Sequence, residues 1–238
     1  MATIRFAPRI PALRVFDAPF VIADRVRVWR ELDGPFGDAI RDAFAARTPW
    51  RVLGFWDNGF RQISNGVRPL REPADCRGLS IRVQQNDDIV ETFERIGFTV
   101  RPTDISEAVP ALAAGRIDAQ ENPLTSINAF GIQRFHKHIT LTAHVFGVAL
   151  LLCNGARYES WPVDFRRKVF GAAEAATALQ RRLAVEQDAT LRGAFEAEGV
   201  AFVDLDDAGR AAFATAAAPV TERLAGVLDA GLIRRLRG

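Results

Sequence analysis

The feature that most constrains the fold is an alternation of short apolar strands with amphipathic helices between residues 79 and 120. Three runs have the composition of buried strands, and two runs between them carry apolar residues at helical spacing: strands at 79–83, 98–101 and 117–120, helices at 87–96 and 106–114. Gly97 and Gly115 directly follow the helices, as glycine often does at a helix C-terminus. Strands joined by single helices usually run in parallel, so we predict an α/β sheet with largely parallel strands.

A second feature is one very long predicted helix. Residues 163–198 have apolar side chains at helical spacing, and little besides Gly171 and Gly193 would interrupt a helix there. A helix of that length spans roughly 45 Å or more, which exceeds the width of a small domain. We therefore expect it to cross or brace two lobes.

The composition excludes several classes of protein. The 238 residues carry 31 basic and 29 acidic side chains, and the net charge of +2 gives no electrostatic footprint for nucleic acid. No run approaches the roughly 18–20 apolar residues of a membrane helix, so direct membrane insertion is not predicted. Residues 1–8 lack the apolar core of a signal peptide, which favours a cytoplasmic chain if Met1 is the true start.

Motifs for catalysis and for cofactor binding are missing from the sequence. Neither Cys76 nor Cys153 stands in a metal-binding spacing, and both are predicted to be free thiols. His136 and His138 are expected to be exposed turn residues, while His144 either points into a cleft or is buried with its hydrogen bonds satisfied. We predict no cofactor and no metal site.

Three polar side chains in apolar surroundings are the candidate binding residues. Arg82 interrupts the strand 79–83, and an inward-facing guanidinium needs an anion, which is either a distant carboxylate or a ligand. Arg61 lies in a segment rich in glycine and asparagine, where exposure to solvent is the simpler interpretation. Asn122 precedes Pro123, so its backbone is extended and its amide can face a pocket at a strand end.

Several motifs, in order along the chain, resemble the periplasmic solute-binding subunits of TRAP transporters, the DctP-like family. They are Val-Phe-Asp-Ala-Pro-Phe at 15–20, the strings 52–61 and 65–83 that contain Arg61 and Arg82, and Gly-Arg-Ile-Asp-Ala-Gln-Glu-Asn-Pro at 115–123. Leu-Thr-Ala-His at 141–144 is similar to the strand that follows in the family. The resemblance covers nearly the whole chain.

The resemblance implies a two-lobed α/β fold of the type II periplasmic-binding-protein kind, which closes on an organic acid. In the family, the arginine that matches Arg82 forms a bidentate pair with the ligand carboxylate. The arginine that matches Arg61 adds a second contact, and the asparagine that matches Asn122 fixes the orientation of the ligand. A forked guanidinium in a dry cleft is suited to a planar carboxylate.

Four more side chains acquire expected roles from the same resemblance. Gln85 would reach the ligand, and Phe146 would wall the pocket. Glu121 and His144 would lie near Arg82 and hold its rotamer through water. The implied partners are an organic acid and the membrane permease subunits of a TRAP transporter, and the implied location is the periplasm.

The expected division into lobes follows the family. Lobe I would contain residues 1–58 and 148–187, and lobe II would contain 59–147 and 188–215. Residues 216–238 would form a C-terminal helix that packs across both lobes.

Family members begin with a β-α-β-α-β segment that would precede residue 15, and this sequence does not contain it. We therefore expect a first lobe without its leading strands, from a truncated or mis-started reading frame or from a lobe that another chain completes. Residues that would lose packing partners are Phe16, Phe20, Val52, Phe55 and one face of 146–153. Exposure of this apolar patch predicts a chain that aggregates and binds organic acids poorly.

Two other functions remain open at this point. One is an enzyme on the same scaffold that uses Glu121 and His144 as acid and base, although no nucleophile or metal set accompanies them. The other is a soluble ligand-sensing domain that signals to a partner when its lobes close. A truncated, non-functional relic of a receptor is a further alternative.

Overall fold

The structure is a computed structural model that describes residues 1–237, so residue 238 of the predicted helix 216–238 lies outside the described residues. The strands are β1 Trp50–Phe60, β2 Gln62–Asn65, β3 Ser80–Val83, β4 Thr99–Pro102, β5 Ala119–Asn122, β6 His138–Leu141, β7 Phe146–Asn154 and β8 Ala201–Asp204. The helices are α1 Arg25–Leu32, α2 Pro35–Arg47, α3 Asp87–Ile96, α4 Ile105–Ala113, α5 Leu124–Ala129, α6 Gly155–Glu159, α7 Val163–Ala197, α8 Asp207–Ala225 and α9 Ala230–Arg237. Across residues 1–237, no helix combines the length and the apolar character that a bilayer span requires.

The larger sheet has six strands in the order β4-β3-β5-β2-β6-β8. Strand β3 pairs in parallel with β4 and β5, and β6 pairs in parallel with β8, whereas β2 runs antiparallel to both β5 and β6. The prediction of a largely parallel sheet is therefore wrong for the centre of the sheet. The strands β3, β4 and β5, which single helices join, do pair in parallel as predicted, but β2 lies outside that segment and the pattern on which the prediction rested did not include it.

Helix α3 shows how local sequence sets the elements around the binding residues. The Asn86 side chain accepts a hydrogen bond from the Ile89 backbone N–H over 3.1 Å and caps the first turn. Gly97 ends the helix with φ of 114°, a left-handed conformation that favours glycine. Phe93 and Ile96 pack into the core beside β3. The helix covers the predicted residues 87–96, so this prediction is confirmed.

The smaller sheet consists of β1 and β7, which pair in antiparallel register. Residues at the start of the chain add to its β7 side, where Ala2 forms a backbone bridge with Ala149. The core beneath this sheet is filled by residues 6–22 together with α2 and α9. The packing of residues 1–16 against this sheet was not predicted from the sequence.

The expected apolar patch is a prediction that the structure corrects. Phe16, Val52 and Phe55 are buried, as are the alternate side chains Phe146, Val148 and Leu150 of β7, and Phe20 is half-buried. They are covered because Phe6, Ile10 and Leu13 occupy the space that the prediction left empty. The expectation of aggregation rested on this patch and therefore loses its main support.

Helix α7 contains 35 residues, so the predicted long helix is confirmed. Near its middle, the Gln180 side chain bonds both the backbone N–H and the backbone carbonyl of Asp57 in β1, over 2.8 and 2.7 Å. Near its end, Phe195 is buried beside Ile139 of the larger sheet. One helix thus contacts both sheets, which couples their positions.

The C-terminal region is two helices, whereas the sequence suggested one. Helix α8 ends before Gly226, and the Asp229 carboxylate accepts a hydrogen bond from the Leu232 N–H to start α9. Phe213 of α8 packs with the core of the larger sheet, while Val220 packs with the core of the smaller one.

Candidate functional site

The candidate site lies where β3 and β5 reach their carboxyl ends and β2 begins. Arg82 is the third residue of β3, with Arg101 of β4 and Gln120 of β5 opposite it in register. Asn122 ends β5, and Arg61 joins β1 to β2. Ligands of α/β sheets commonly bind outside the carboxyl ends of strands, so this edge is a natural place for a small molecule.

Arg82 is a buried cation without a carboxylate partner. The residue is 4% exposed, and its Nε donates to the Thr103 carbonyl oxygen over 2.8 Å. In the part of the chain that the structure describes, Arg82 forms no ion pair. Burial lowers the pKa of its guanidinium from the usual value, but an arginine keeps its charge. A structural salt bridge, the alternative role for Arg82, would need a carboxylate that pairs with it, and residues 1–237 provide none.

A cavity of about 110 Å³ opens in front of this guanidinium. Gln85, which was predicted to reach the ligand, lines the same cavity, and so does Arg5 from the start of the chain. The walls are mostly polar, because Gln84, Thr103 and Asp104 complete the lining. An anion that entered the cavity would meet Arg82 directly.

Arg61, by contrast, has a carboxylate partner within the protein. It forms a buried ion pair with the Glu121 carboxylate, in which Nη2 lies 2.8 Å from Oε1 and Nε donates to Oε2. Nη2 also donates to the Glu121 carbonyl oxygen over 2.8 Å and to Asn122 Oδ1 over 3.0 Å. The simpler interpretation of Arg61 as a solvent-exposed loop residue is wrong, since it is buried.

Glu121 makes direct contacts with both Arg61 and His144, whereas we expected Glu121 and His144 to hold the rotamer of Arg82 through water. Burial alone would raise the pKa of Glu121, but Arg61 and His144 outweigh it and lower the pKa to about 2. Burial lowers the pKa of His144, so the ring is neutral near pH 7. Its Nε2 lies 3.3 Å from Glu121 Oε2, an acceptor, which assigns the proton to Nε2. Nδ1 then accepts from the Thr142 hydroxyl over 2.7 Å.

A chain of buried hydrogen bonds orients the Asn122 amide. Its Nδ2 donates to Gln120 Oε1 over 2.6 Å, and Gln120 Nε2 donates to the Ser64 hydroxyl over 2.6 Å. The Ser64 hydroxyl lies 3.0 Å from His136 Nδ1. Because Nδ2 is held by Gln120, Asn122 Oδ1 faces the donor on Arg61.

Sequence reasoning missed this chain of side chains. His136 was expected at the surface but is 2% exposed, because it packs under β2 against the Ser64 hydroxyl. The available signal was polarity at buried strand positions: Ser64 and Gln120 lie directly opposite each other in antiparallel β2 and β5. His144 is buried with its hydrogen bonds satisfied, which was one of the two alternatives.

A second, smaller cavity of about 20 Å³ adjoins the first. Phe146 and Arg61 line it, and Ile4 and Gln84 border both cavities. Phe146 therefore walls a space beside Arg61, and the structure does not bring it into the cavity of Arg82.

Asp17 also lines the smaller cavity and was not predicted to be a site residue. It is buried, and its carboxylate accepts a hydrogen bond from Asn86 Nδ2 over 3.2 Å. Burial, assisted by the nearby Asp88 charge, raises the pKa of Asp17 to about 7. Its place in the motif at 15–20 was the signal that could have identified it.

Within residues 1–237, no cluster of three or more histidine, cysteine, aspartate or glutamate side chains is arranged to hold a metal ion. Cys76 and Cys153 are free thiols, as predicted.

Comparison with known proteins gives one consistent result. The family model of the bacterial extracellular solute-binding proteins, family 7 (DctP), matches residues 1–226. A solute-binding protein of Verminephrobacter eiseniae is 33% identical over 211 residues, which cover 89% of this chain and 62% of the relative. The 2,3-diketo-L-gulonate-binding periplasmic protein YiaO of Escherichia coli is 30% identical over 202 residues, which cover 84% of this chain and 61% of the relative. The chain thus spans about three fifths of the length of these curated relatives.

The solved structures agree with this result. A TRAP periplasmic solute-binding protein from Ralstonia eutropha, with bound (S)-2-acetolactate, superimposes with a TM-score of 0.92 at 28% identity. The match covers 100% of this chain and 77% of that protein. The predicted periplasmic-binding-protein-like fold is confirmed by this similarity.

Proposed function

The chain belongs to the DctP family of bacterial extracellular solute-binding proteins, as its motifs predicted, and we propose that it binds an organic acid by its carboxylate and delivers it to a TRAP-type membrane permease. Members of this family are binding proteins and not enzymes, which removes the alternative of acid–base catalysis by Glu121 and His144. The Escherichia coli relative is named for 2,3-diketo-L-gulonate, and the Ralstonia protein holds acetolactate. Both of these molecules are carboxylates.

The proposal rests on one observation, which is that Arg82 is buried beside a cavity and has no carboxylate partner within residues 1–237. A buried guanidinium without a counterion is costly, and the cost falls when an anion enters the adjoining cavity. Charge-assisted hydrogen bonds to a carboxylate contribute about 1.5–3 kcal/mol each. The only hydrogen bond that the structure gives Arg82 within residues 1–237 is the one from Nε to Thr103, which fixes the guanidinium while its outer nitrogens stay available.

The remaining predicted residues contact the ligand at different stages of binding. Gln85 contacts the ligand in the cavity of Arg82, and Phe146 closes the space beside it. Arg61 and Asn122 reach the ligand when the lobes close, and until then Glu121 holds Arg61 in place. The lobes that close are those given by the boundaries 1–58 with 148–187 and 59–147 with 188–215.

Delivery to a permease implies that the chain works in the periplasm, and the Escherichia coli relative is named a periplasmic protein. A soluble sensor is the alternative, and genes next to this one distinguish the two. Two membrane subunits of a transporter support the receptor, whereas a transcriptional or signalling regulator in their place contradicts delivery.

The proposal is tested by a thermal-shift screen of organic acids, followed by calorimetry on the acids that stabilise the protein. We expect at least one acid to raise the melting temperature of the unmodified chain. Arg82→Ala should abolish that rise, because it removes the cation that pairs with the carboxylate. The matched control is Arg101→Ala, an exposed arginine on β4 directly opposite Arg82 in register.

The control variant should keep the full ligand-induced shift. Retention of the shift by Arg82→Ala would reassign Arg82 to a structural role and contradict the proposed binding mode.

A further inference from the structure

Asp17 is a buried carboxylate that has no role in the proposed binding mode. It is 3% exposed and lines the smaller cavity beside Arg61. Resting on the proposed function, we propose that Asp17 takes up a proton when an organic acid binds, so that the receptor binds the anion and a proton together. This coupling makes the binding of the acid weaker as the pH rises above neutrality.

The position of Asp17 places it beside the cavity of Arg82. It directly follows the 3-10 turn Pro11–Phe16, and its Oδ2 accepts a hydrogen bond from Asn86 Nδ2 over 3.2 Å. Asn86 caps α3 two residues after Gln84, which borders both cavities. An anion that binds Arg82 therefore enters a space that adjoins the one Asp17 lines.

Within residues 1–237, no cation forms an ion pair with Asp17. Arg61 lines the same cavity, but its guanidinium is paired with Glu121. Arg14 precedes Asp17 by three residues and instead bonds Asp88, where its Nε and Nη2 donate to Oδ2 and Oδ1 over 2.9 and 2.8 Å. A buried carboxyl without a paired cation favours its protonated form.

The charged groups that face Asp17 act in opposite directions. Burial and then the Asp88 charge on α3 raise its pKa, whereas Arg14 and Arg61 lower it, and the result is about 7. Arg223 of α8 offsets part of the Asp88 charge, since its Nη2 lies 3.0 Å from Asp88 Oδ1. Besides Asp17 and Arg61, the lining of the smaller cavity carries no charged side chain.

An organic anion adds a negative charge beside a carboxyl that is about half protonated at pH 7. A like charge nearby favours the neutral form of a carboxyl, and the exclusion of water by the bound acid acts in the same direction. Asp17 therefore gains protons when the anion binds. By linkage, the affinity for the anion falls where Asp17 must be protonated at high pH.

The other buried titratable groups of the site do not produce this effect near pH 7. The pKa of Glu121 is lowered to about 2 because Arg61 and His144 outweigh its burial, so Glu121 stays ionised. Burial lowers the pKa of His136 to about 4 and also lowers that of His144, so both rings stay neutral. Asp17 is left as the group whose protonation the ligand changes.

The experiment is titration calorimetry of the full chain at pH 6, 7 and 8, in two buffers of different ionisation enthalpy. The probe is D-glucuronate, or the first acid of the thermal-shift screen if that acid binds more tightly. The difference in heat between the buffers gives the number of protons taken up. We expect about 0.4 proton per bound acid at pH 7 and about 0.1 at pH 6, with binding about fivefold weaker at pH 8 than at pH 6.

Asp17→Asn removes the titrating group and should abolish both the proton uptake at pH 7 and the weakening between pH 6 and pH 8. The control is Asp87→Asn, which removes an exposed carboxylate of α3 that lies outside both cavities. The control variant should keep the proton uptake and the pH dependence of the unmodified chain.

The outcomes separate this inference from the proposed function. Binding of the acid without proton uptake by the unmodified chain, or an uptake that Asp17→Asn retains, would overturn the role of Asp17 and leave the organic-acid receptor standing. The first of these results needs no variant, so it holds even if Asp17→Asn does not fold. Binding that survives Arg82→Ala, or no binding of any acid, would overturn the proposed function together with this inference.

Discussion

At the scale of single residues, two buried arginines in one site have opposite surroundings. Arg61 is neutralised by Glu121 and bonded to Asn122, whereas Arg82 has a backbone carbonyl and a polar cavity. The sequence marks Arg82 because it interrupts an apolar strand, whereas Arg61 gains a role only from the family resemblance. It could not show which of them carries an internal counterion, since Glu121 is 60 residues away from Arg61 along the chain.

The raised pKa of Asp17 predicts that the stability of the fold depends on pH. Its pKa is about 7 in the folded chain against an ordinary value of 3.8, so the folded state binds its proton more tightly than the unfolded state does. The stabilisation is present below about pH 4 and is lost as the pH rises towards 7. Asp17→Asn removes this titration, and its stability relative to the unmodified chain should increase by about 2 kcal/mol or more between pH 4.5 and pH 8. Urea unfolding at the two pH values measures the difference.

Asp42→Asn, on the exposed face of α2, is the matched control and should show no such change. A constant offset between Asp17→Asn and the unmodified chain at both pH values would mean that Asp17 titrates normally.

At the scale of elements, the sequence was most informative about helices, whose apolar side chains recur at helical spacing. The helices α3 and α7 have the predicted type and nearly the predicted ends. The direction of β2 was not predictable. The pattern of apolar residues indicates which side chains are buried, but it does not indicate which strand a given strand pairs with. The 3-10 turns of residues 3–16 were missed for a similar reason: Pro8 and Pro11 exclude a regular helix but do not reveal a packed core segment.

The contact between α1, β1 and α7 depends on Arg25. Its Nη2 lies 2.6 Å from Asp188 Oδ2 of α7, and its Nη1 lies 3.5 Å from Asp57 Oδ2 of β1. The Asp57 side chain is fully buried, and burial raises its pKa to about 6 although Arg25 opposes the rise. Arg25→Gln leaves this carboxylate without its cation and should destabilise the fold by about 3 kcal/mol at pH 8.

The loss should be smaller at pH 5, where Asp57 of the variant takes up a proton. Arg27→Gln on the same helix is the control, since Arg27 forms an exposed pair with Asp24 and its loss should cost less than about 1 kcal/mol. Chemical denaturation of both variants at both pH values measures this, and equal losses for the two variants would show that Arg25 is an ordinary surface cation.

At the scale of the whole molecule, two sheets share one long helix, and the candidate site lies where the start of the chain meets the larger sheet. The motifs predicted the family and the α/β fold. They could not predict that Ile4 and Arg5 would border the cavity of Arg82, because those residues belong to no motif and their position depends on bonds between the start of the chain and β7. The size and polarity of the cavity follow from this packing and were therefore also out of reach.

The most direct test of the account is a crystal structure of the chain with an acid that the thermal-shift screen selects. We predict that the ligand carboxylate accepts hydrogen bonds from both Nη atoms of Arg82 at about 3 Å, while Nε keeps its bond to Thr103. A carboxylate bound elsewhere, with the Arg82 guanidinium left unpaired, would contradict the central claim.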